Sequence, residues 1–197
     1  QNGDALKSFK LALMADPTYV PALVGSAKAL ADDNPPEALA SAQAALKINP
    51  NSVDAHVFVA SKAVDASKRE DAKASLARAL DERMWILNRA GRIPFVISGQ
   101  GHEGAQVGIA WPLQKGHDWI APFYRSIATC MTFGMSARDI MTAQYATAGD
   151  PSSGGRQMPG HYGSHEHNLV SVSSPVATQL LHAVGIALAA KIRKTGQ

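Results

Sequence analysis

A short pattern of small and apolar residues occurs three times in the first 80 residues of the chain. The copies are separated by offsets of 33 and then 34 positions, and their members are Ala5, Phe9, Ala12, Pro17; Ala38, Ala42, Ala45, Pro50; and Ala72, Leu76, Ala79. Spacings of four and three place these side chains on one helix face, and alanine lets a neighbouring helix approach closely. A proline just past the helix end stops the helix. The pattern therefore predicts a row of short helices packed side by side.

The segments between the repeated helices, residues 19–32 and 52–66, are each long enough for a partner helix, and Pro35 and Pro36 suit the first turn of the next helix. A recurring helix pair of this length resembles the tetratricopeptide repeat, which stacks into a solenoid. We therefore expect tetratricopeptide-like helical repeats over residues 1–79, with five or six antiparallel helices between residues 3 and 82. An ordinary helical bundle would also satisfy the pattern.

The composition of the chain changes near residue 83. All three Trp, the only Cys and six of the seven His follow this point, so we expect a second domain at residues 80–197. The lone thiol, Cys130, excludes an internal disulfide and a Cys-ligated structural zinc site. No apolar run reaches the roughly 18 residues of a membrane span. A net charge of +3 gives no reason to expect nucleic acid, and no signal peptide is recognisable, so we expect a cytoplasmic protein.

Two glycine-rich stretches of the second domain are weak signals for phosphate binding. Gly99–Gly104 matches the dinucleotide fingerprint, between a plausible strand at Arg92–Ile97 and a plausible helix at Glu103–Ala110. That fingerprint needs an acidic residue about 20 positions on, and the nearest candidate, Asp118, comes too early. Residues 152–156 lack the ending of a Walker loop. Nicotinamide binding is therefore disfavoured.

Three histidines raise the hypothesis of a metal site. His165 and His167 flank Glu166 in a loop shortly after His161. Alternate residues point in the same direction only where a loop is extended, and no fourth ligand is implied. Solvated loop histidines are the more ordinary interpretation.

The pair Tyr124-Arg125 looks suited to an anion. It follows a strand-like run at Trp119–Ala121 and opens a predicted helix that ends at Gly134. A phenol and a guanidinium side by side offer a neutral donor and a planar charged fork, which suit phosphate oxygens. The alternative is a surface arginine beside a packed tyrosine.

Ser174 marks a second candidate site. Leu169–Val172 is predicted to be a buried strand, Ser174 the N-cap and Pro175 the first position of a helix. A helix start presents free amides to an anion or lies beside a carbonyl-rich cation site, and the alternative is a plain cap. The helix is predicted to be amphipathic, with an apolar side at Leu181, Val184, Leu188 and Ile192.

Six motifs of the second domain occur in a fixed order. Together they resemble the alpha subunit of the thiamine-diphosphate-dependent 2-oxo acid dehydrogenase, and the branched-chain (2-oxoisovalerate) type fits better than the pyruvate type. The resemblance implies the truncated start of a thiamine-diphosphate-binding α/β fold, so we expect a mostly α chain with a partial α/β segment. It covers about residues 78–197 and is carried by residues 81–85, 92–95, 99–103, 123–125, 155–162 and 173–179.

The resemblance assigns roles to individual residues. In this family the residues that match Tyr124 and Arg125 hold the diphosphate of thiamine diphosphate, and those that match Ser174 and Val176 also contact the cofactor. Phe95 matches a wall of the substrate pocket. Hydroxyl, carbonyl and amide oxygens suit a hard cation, and a potassium-binding loop of some members is matched by Ser173, Pro175, Thr178 and Gln179.

The activity implied is oxidative decarboxylation of a branched-chain 2-oxo acid, with transfer of the acyl group to a lipoyl arm. No segment matches the family's Gly-Asp/Glu-Gly…Asn magnesium motif, and the activating glutamate of the family belongs to a beta subunit. We therefore expect an N-terminal fragment that is inactive alone, contains no catalytic residue of its own, and has a beta subunit and a lipoyl-bearing acyltransferase as partners. The alternative is a protein-interaction module in which the repeat arm carries the function and the C-terminal half is vestigial.

Overall fold

The computed structural model describes residues 2–65 and 68–196, and these residues form nine helices. No β-strand longer than a single bridge occurs within the described ranges, which confirms a mostly α fold. No helix found there is both long and apolar enough to cross a membrane. The helices are α1 Asn2–Ala15, α2 Val20–Ala29, α3 Pro35–Ile48, α4 Val53–Asp65, α5 Arg69–Arg89, α6 Glu103–Ala110, α7 Ile127–Phe133, α8 Ala137–Gln144 and α9 Thr178–Arg193.

The chain divides into two compact units, Gln1–Glu82 and Arg83–Gln197. In the first unit α1 packs on α2, α2 on α3 and α3 on α4, in chain order. The predicted partner helices are α2 and α4, although residue 66 of the second predicted segment lies outside the described residues.

Local signals at the helix ends of the first unit act as predicted. Helix α3 begins at Pro35, and its N-cap, Asn34, accepts a hydrogen bond of 3.4 Å from the backbone N–H of Glu37. Prolines 17 and 50 follow the last residues of α1 and α3 by two positions. Helix α5 has Met84 where a third proline would stand, and it continues to Arg89.

Small side chains form the core of the first unit. The repeated residues Ala38, Ala42 and Ala45 are completely buried. The contacting residues form three clusters: Ala27, Leu30, Ala38, Ala42 and Phe58; Leu23, Val24, Ala45 and Ala55; and Ala60, Ala63 and Ala72. Most members of these clusters are alanines, whose small side chains let the helices lie close together, and Phe58 is the one aromatic residue among their described members.

In the second unit α6 packs against α7, whose residues are all buried. Helix α6 has the predicted bounds Glu103–Ala110, and α7 ends at the predicted Gly134. Helix α8 begins with a capping box, in which Ser136 and Asp139 each bond the other's backbone N–H. The candidate site residues lie before α6, before α7, and directly before and at the start of α9.

The strands predicted at Arg92–Ile97, Trp119–Ala121 and Leu169–Val172 do not form a sheet within the described residues. Instead, Ile120 and Leu169 form one parallel bridge, in which Ile120 N–H bonds Asn168 O at 3.0 Å and Val170 N–H bonds Ile120 O at 2.9 Å. The ladder cannot continue because Pro122 has no N–H to donate. Pro94 interrupts the first run in the same way.

The predicted start of the last helix was wrong. Helix α9 begins at Thr178 rather than Pro175, and Ala177 at its N-cap position has a left-handed φ of 70°. The Thr178 hydroxyl donates to the carbonyl of Pro175 at 2.7 Å, which keeps the preceding residues in a turn. Ser174 is therefore not the helix cap.

The predicted apolar side of α9 is exposed. Exposure is 73% for Leu181, 66% for Val184, 56% for Leu188 and 73% for Ile192. The opposite side, which contains Ala183, Ile186, Ala187 and Ala190, lines a cavity of about 240 Å³ together with Leu113, Asp118, Trp119 and Ala121. Among the described side chains of this helix, only Ala190 is buried.

Candidate functional site

Arg125 is held at both its side chain and its backbone. Its Nη1 donates a hydrogen bond of 2.7 Å to the carbonyl of Ser98, and its own carbonyl accepts one of 3.0 Å from the Gln106 amide. A Cβ atom at Gly99 would collide with that same carbonyl. The position of the half-buried arginine is thus fixed through one N–H group, and the guanidinium has four further N–H groups that could bind an anion.

Gln106 connects this arginine to α7. The amide Oε1 of Gln106 accepts the backbone N–H of Ala128 at 2.9 Å, and its Nε2 donates to the carbonyl of Arg125. One side chain on α6 thereby fixes the turn at residues 123–126, which lies before α7 rather than inside it. Sequence reasoning missed Gln106; a polar residue on the half-buried side of a helix was the only available signal.

Tyr124 lies among other rings. Its ring centroid is 3.8 Å from that of Phe123, and the Arg125 guanidinium lies 5.5 Å from the Tyr124 centroid. The imidazole of His161 is roughly parallel to the phenol, with centroids 6.4 Å apart and planes at 25°. The half-buried phenol ring therefore has a cation and an imidazole as neighbours.

His161 joins this group to Ser174. The Nε2 atom of His161 lies 2.7 Å from the Ser174 hydroxyl, and its Nδ1 lies 3.1 Å from the carbonyl oxygen of Met158. The imidazole is only 9% exposed, so it is not one of the solvated loop histidines that the sequence indicated. Tyr124, Arg125 and Ser174, which the sequence marked as two separate sites, are thus joined through one histidine.

The three histidines do not form a metal site. His165 is exposed, and His167 packs on Gly134. Among the described residues, no group of three or more His, Cys, Asp or Glu side chains is placed to hold a metal ion. Burial also raises the pKa of the single thiol, Cys130, to about 12, so this thiol is protonated near neutral pH.

The loop that leads to His161 is organised around Asp150. Burial would raise the pKa of this carboxyl group, but its hydrogen bonds outweigh that effect and lower the pKa below its usual value. The donors are the Ser152 N–H at 2.9 Å, the Ser153 N–H at 3.0 Å and hydroxyl at 2.9 Å, and the Gly155 N–H at 3.2 Å. Arg156 folds back onto the same loop, because its Nε donates to the Ser153 carbonyl at 2.8 Å.

The loop before α9 brings together three of the four residues predicted to bind potassium. The Ser173 hydroxyl donates to that of Thr178 at 3.2 Å, and the Thr178 hydroxyl donates to the Pro175 carbonyl at 2.7 Å. The fourth, Gln179, has a buried side-chain Nε2 with no hydrogen-bond partner. Since amide O and N atoms are interchangeable in assignment, the turned amide would present a buried oxygen that lacks a donor. A set of neutral oxygens fits a hard cation.

Two further predicted site residues lie at the surface. Phe95 is 39% exposed and Val176 is 72% exposed. Neither side chain belongs to the Tyr124–His161 ring group.

Comparisons with known proteins show the family of this chain. The family model for the dehydrogenase E1 component matches residues 71–197. The 2-oxoisovalerate dehydrogenase subunit alpha of Bacillus subtilis is 56% identical over 119 residues, which are 60% of this chain and 36% of that protein. The mitochondrial 2-oxoisovalerate dehydrogenase subunit alpha of Mus musculus is 38% identical over 117 residues, 59% of this chain and 26% of that protein. The protein of the same description from Caenorhabditis elegans is 39% identical over 115 residues, 58% of this chain and 26% of that protein.

The chain thus spans about a third of the length of the Bacillus subtilis relative and about a quarter of the two mitochondrial ones. The family match nevertheless extends over more than half of the chain and contains every residue of the site described above. The chain belongs to the dehydrogenase E1 component family.

Proposed function

We propose that this chain serves in the oxidative decarboxylation of a branched-chain 2-oxo acid, as part of the alpha subunit of the dehydrogenase component. The observation that carries the proposal is the joining of Tyr124, Arg125 and Ser174 through His161. The names of the relatives support the substrate class, since each is a 2-oxoisovalerate dehydrogenase subunit alpha.

Arg125 and Tyr124 would bind the diphosphate of thiamine diphosphate. The guanidinium is fixed through Ser98, so its remaining donors keep a defined direction toward the diphosphate oxygens. The phenol adds a neutral donor next to that charge. Bound thiamine diphosphate supplies the carbon nucleophile and the electron sink for decarboxylation. Val176 would support the shape of the cofactor, and Phe95 would form a wall of the substrate pocket.

We also propose that residues 173–179 hold potassium. The Ser173 and Thr178 hydroxyls, the Pro175 carbonyl and the Gln179 amide would supply its oxygens. Ser174 lies inside this loop, so the ion would stiffen the segment that carries a cofactor contact. The magnesium that accompanies the diphosphate would be held by the family's separate motif.

The other partners follow from the same family resemblance. A beta subunit would supply the carboxylate that activates the cofactor, and a lipoyl-bearing acyltransferase would receive the acyl group. For the first unit we propose a tetratricopeptide-like arm that binds a protein partner. Its support is the consecutive packing of α1–α4 and the burial of the repeated alanines on α3 and α5.

The variant Arg125→Ala tests the proposed cofactor site. In a subunit extended to the length of the relatives and combined with a beta subunit, we expect this change to raise the dissociation constant of thiamine diphosphate at least about tenfold, since a charged hydrogen-bond donor is lost. The matched control is Arg156→Ala, an exposed arginine of the same unit that bonds only its own loop. Titration calorimetry measures both affinities. Equal affinities for Arg125→Ala and the unaltered enzyme would contradict the assignment.

A further inference from the structure

The hydrogen bonds of His161 fix which of its nitrogens carries the proton. A carbonyl oxygen can only accept, so the contact of 3.1 Å between Nδ1 and Met158 O places the proton of the neutral imidazole on Nδ1. The Nε2 atom is then an acceptor, and the hydroxyl of Ser174, 2.7 Å away, must donate to it. The opposite tautomer would set a lone pair against the carbonyl.

This arrangement also limits what Ser174 can offer to a bound molecule. A hydroxyl has one proton, and here the proton is committed to His161. The exposed side of the Ser174 oxygen therefore presents only lone pairs while the imidazole is neutral. Ser174 would accept a hydrogen bond from an N–H or O–H group of a ligand, whereas Tyr124 and Arg125 donate to its anionic oxygens.

The position of His161 is itself fixed from two further directions. Its ring lies against the Tyr124 ring, and its loop passes close to the Tyr124 backbone, where a Cβ at Gly160 would lie 3.6 Å from the Tyr124 carbonyl oxygen. The side chain therefore contacts both parts of the candidate site while it is itself almost fully buried.

We propose that His161 is a positioning residue, which fixes Ser174 relative to Tyr124 and Arg125 by accepting the Ser174 hydroxyl proton at Nε2. The proposal rests on the proposed cofactor site, because Ser174, Tyr124 and Arg125 are the residues assigned to it. In this role His161 would act through Ser174 and would not itself bind the ligand. Its contribution is to hold two ligand contacts, which belong to distant parts of the sequence, in one geometry.

The first test needs no cofactor and uses the 197-residue chain. Long-range proton–nitrogen NMR of histidine-labelled protein distinguishes the two tautomers of His161. We expect the Nδ1–H form in the unaltered chain, and a changed Nε2 chemical shift in Ser174→Ala. The Nε2–H form, or a spectrum that Ser174→Ala leaves unchanged, would overturn the proposal.

The second test measures thiamine diphosphate affinity in the extended subunit with its beta subunit. We expect His161→Phe, which keeps a ring against Tyr124, and Ser174→Ala each to raise the dissociation constant about five- to tenfold, the effect of one lost hydrogen bond. The double variant should be no weaker than Ser174→Ala alone, because His161 acts through the Ser174 hydroxyl that this variant removes. His161→Gln should recover most of the affinity, since its amide oxygen reaches the place of Nε2.

Additive effects of the two single variants, or no recovery by His161→Gln, would overturn the positioning role. His165→Gln, an exposed histidine of the same segment, is the control and should leave the affinity unchanged. Arg125→Ala separates the two proposals: an unchanged affinity in that variant would remove the cofactor site, while the tautomer measurement still decides whether His161 fixes Ser174.

Discussion

The orientation of the Arg125 guanidinium is set by neighbouring backbone groups and by Gln106. Because Gly99 has no side chain, residues 98–99 can approach the Arg125 carbonyl closely. Gln106 on α6 donates a hydrogen bond to the same carbonyl. The Ser98 carbonyl then accepts a hydrogen bond from the guanidinium. The direction of the charge therefore depends on the backbone at Ser98, Gly99 and Arg125. A site of this kind loses its geometry when the backbone shifts, even if the arginine is kept.

The variant Gly99→Ala tests this dependence. Its Cβ would collide with the backbone carbonyl of Arg125, so the chain must move. We expect the free energy of unfolding to fall by about 1–3 kcal/mol, as for other overpacked sites. Urea titration followed by circular dichroism measures the change.

Gly104→Ala is the matched control, because a Cβ at Gly104 meets no atom within 4 Å and the residue lies in α6. Alanine there should leave the stability unchanged or raise it by up to about 1 kcal/mol. A loss of stability in Gly104→Ala as large as in Gly99→Ala would contradict the steric explanation.

The hydrogen bonds of Asp150 lead us to expect that the free energy of unfolding depends on pH. Its donors lower the pKa in the folded state, so its carboxylate stabilises the fold above the unfolded pKa of about 3.9, and the contribution is lost as the pH falls through the folded value. We expect Asp150→Asn to lower the free energy of unfolding by about 1–2 kcal/mol at pH 7 and by less at about pH 3, where the carboxyl group of the unfolded chain is largely protonated and part of the contribution is lost. Urea titrations at the two pH values measure this, with the exposed Glu166→Gln as the control. A loss that is equal at both pH values would be inconsistent with a charged acceptor.

At the scale of elements, boundaries set by adjacent residues could be predicted and those set by distant contacts could not. The bounds of α6 and the end of α7 at Gly134 follow from local chemistry. The start of α9 does not: the helix begins at Thr178, after Ala177 in a left-handed conformation, and Ser174 bonds His161, 13 positions earlier. The predicted strand at Leu169–Val172 failed because its partner run ends at Pro122.

The packing of helices α1–α5 leads to a prediction about the thermal stability of the first unit alone. Their core consists mainly of alanines, while Leu11 and Met14 on α1 are 66% and 81% exposed. Repeat proteins gain stability from each added interface, and fewer than three complete repeats give few interfaces. We expect isolated residues 1–80 to unfold over a broad temperature range with low cooperativity. A sharp calorimetric transition at high temperature would show that the arm is stable alone.

At the scale of the whole molecule, the sequence predicted the family but not the contacts that hold the candidate site residues in place. The chemistry of Tyr124 and Arg125 indicated an anion site from the side chains alone, and the dehydrogenase resemblance agrees with the family match. Gln106, His161 and the close approach at Gly99 gave no comparable signal, because their roles depend on which backbone atoms tertiary folding brings beside them.

The charge of the cofactor leads to the last prediction, which concerns the 197-residue chain as a whole. The diphosphate carries about three negative charges near neutral pH, and a bound divalent cation is usually the largest compensating charge at such a site. Arg125 supplies one positive charge and Tyr124 supplies none. No segment of the sequence matches the family's magnesium motif. General-base assistance, which the family takes from the beta subunit, is typically worth about 10²–10⁴ in rate.

We therefore expect this chain alone to bind thiamine diphosphate with magnesium weakly and to release no carbon dioxide from 2-oxoisovalerate. Extension to the length of the relatives, together with a beta subunit, should restore both properties, because the missing positive charge and the base are then present. Titration calorimetry and a carbon dioxide assay measure the two properties in parallel on the short and extended chains. Micromolar cofactor binding by the short chain would show that Arg125, Tyr124 and their neighbours compensate the diphosphate without the cation.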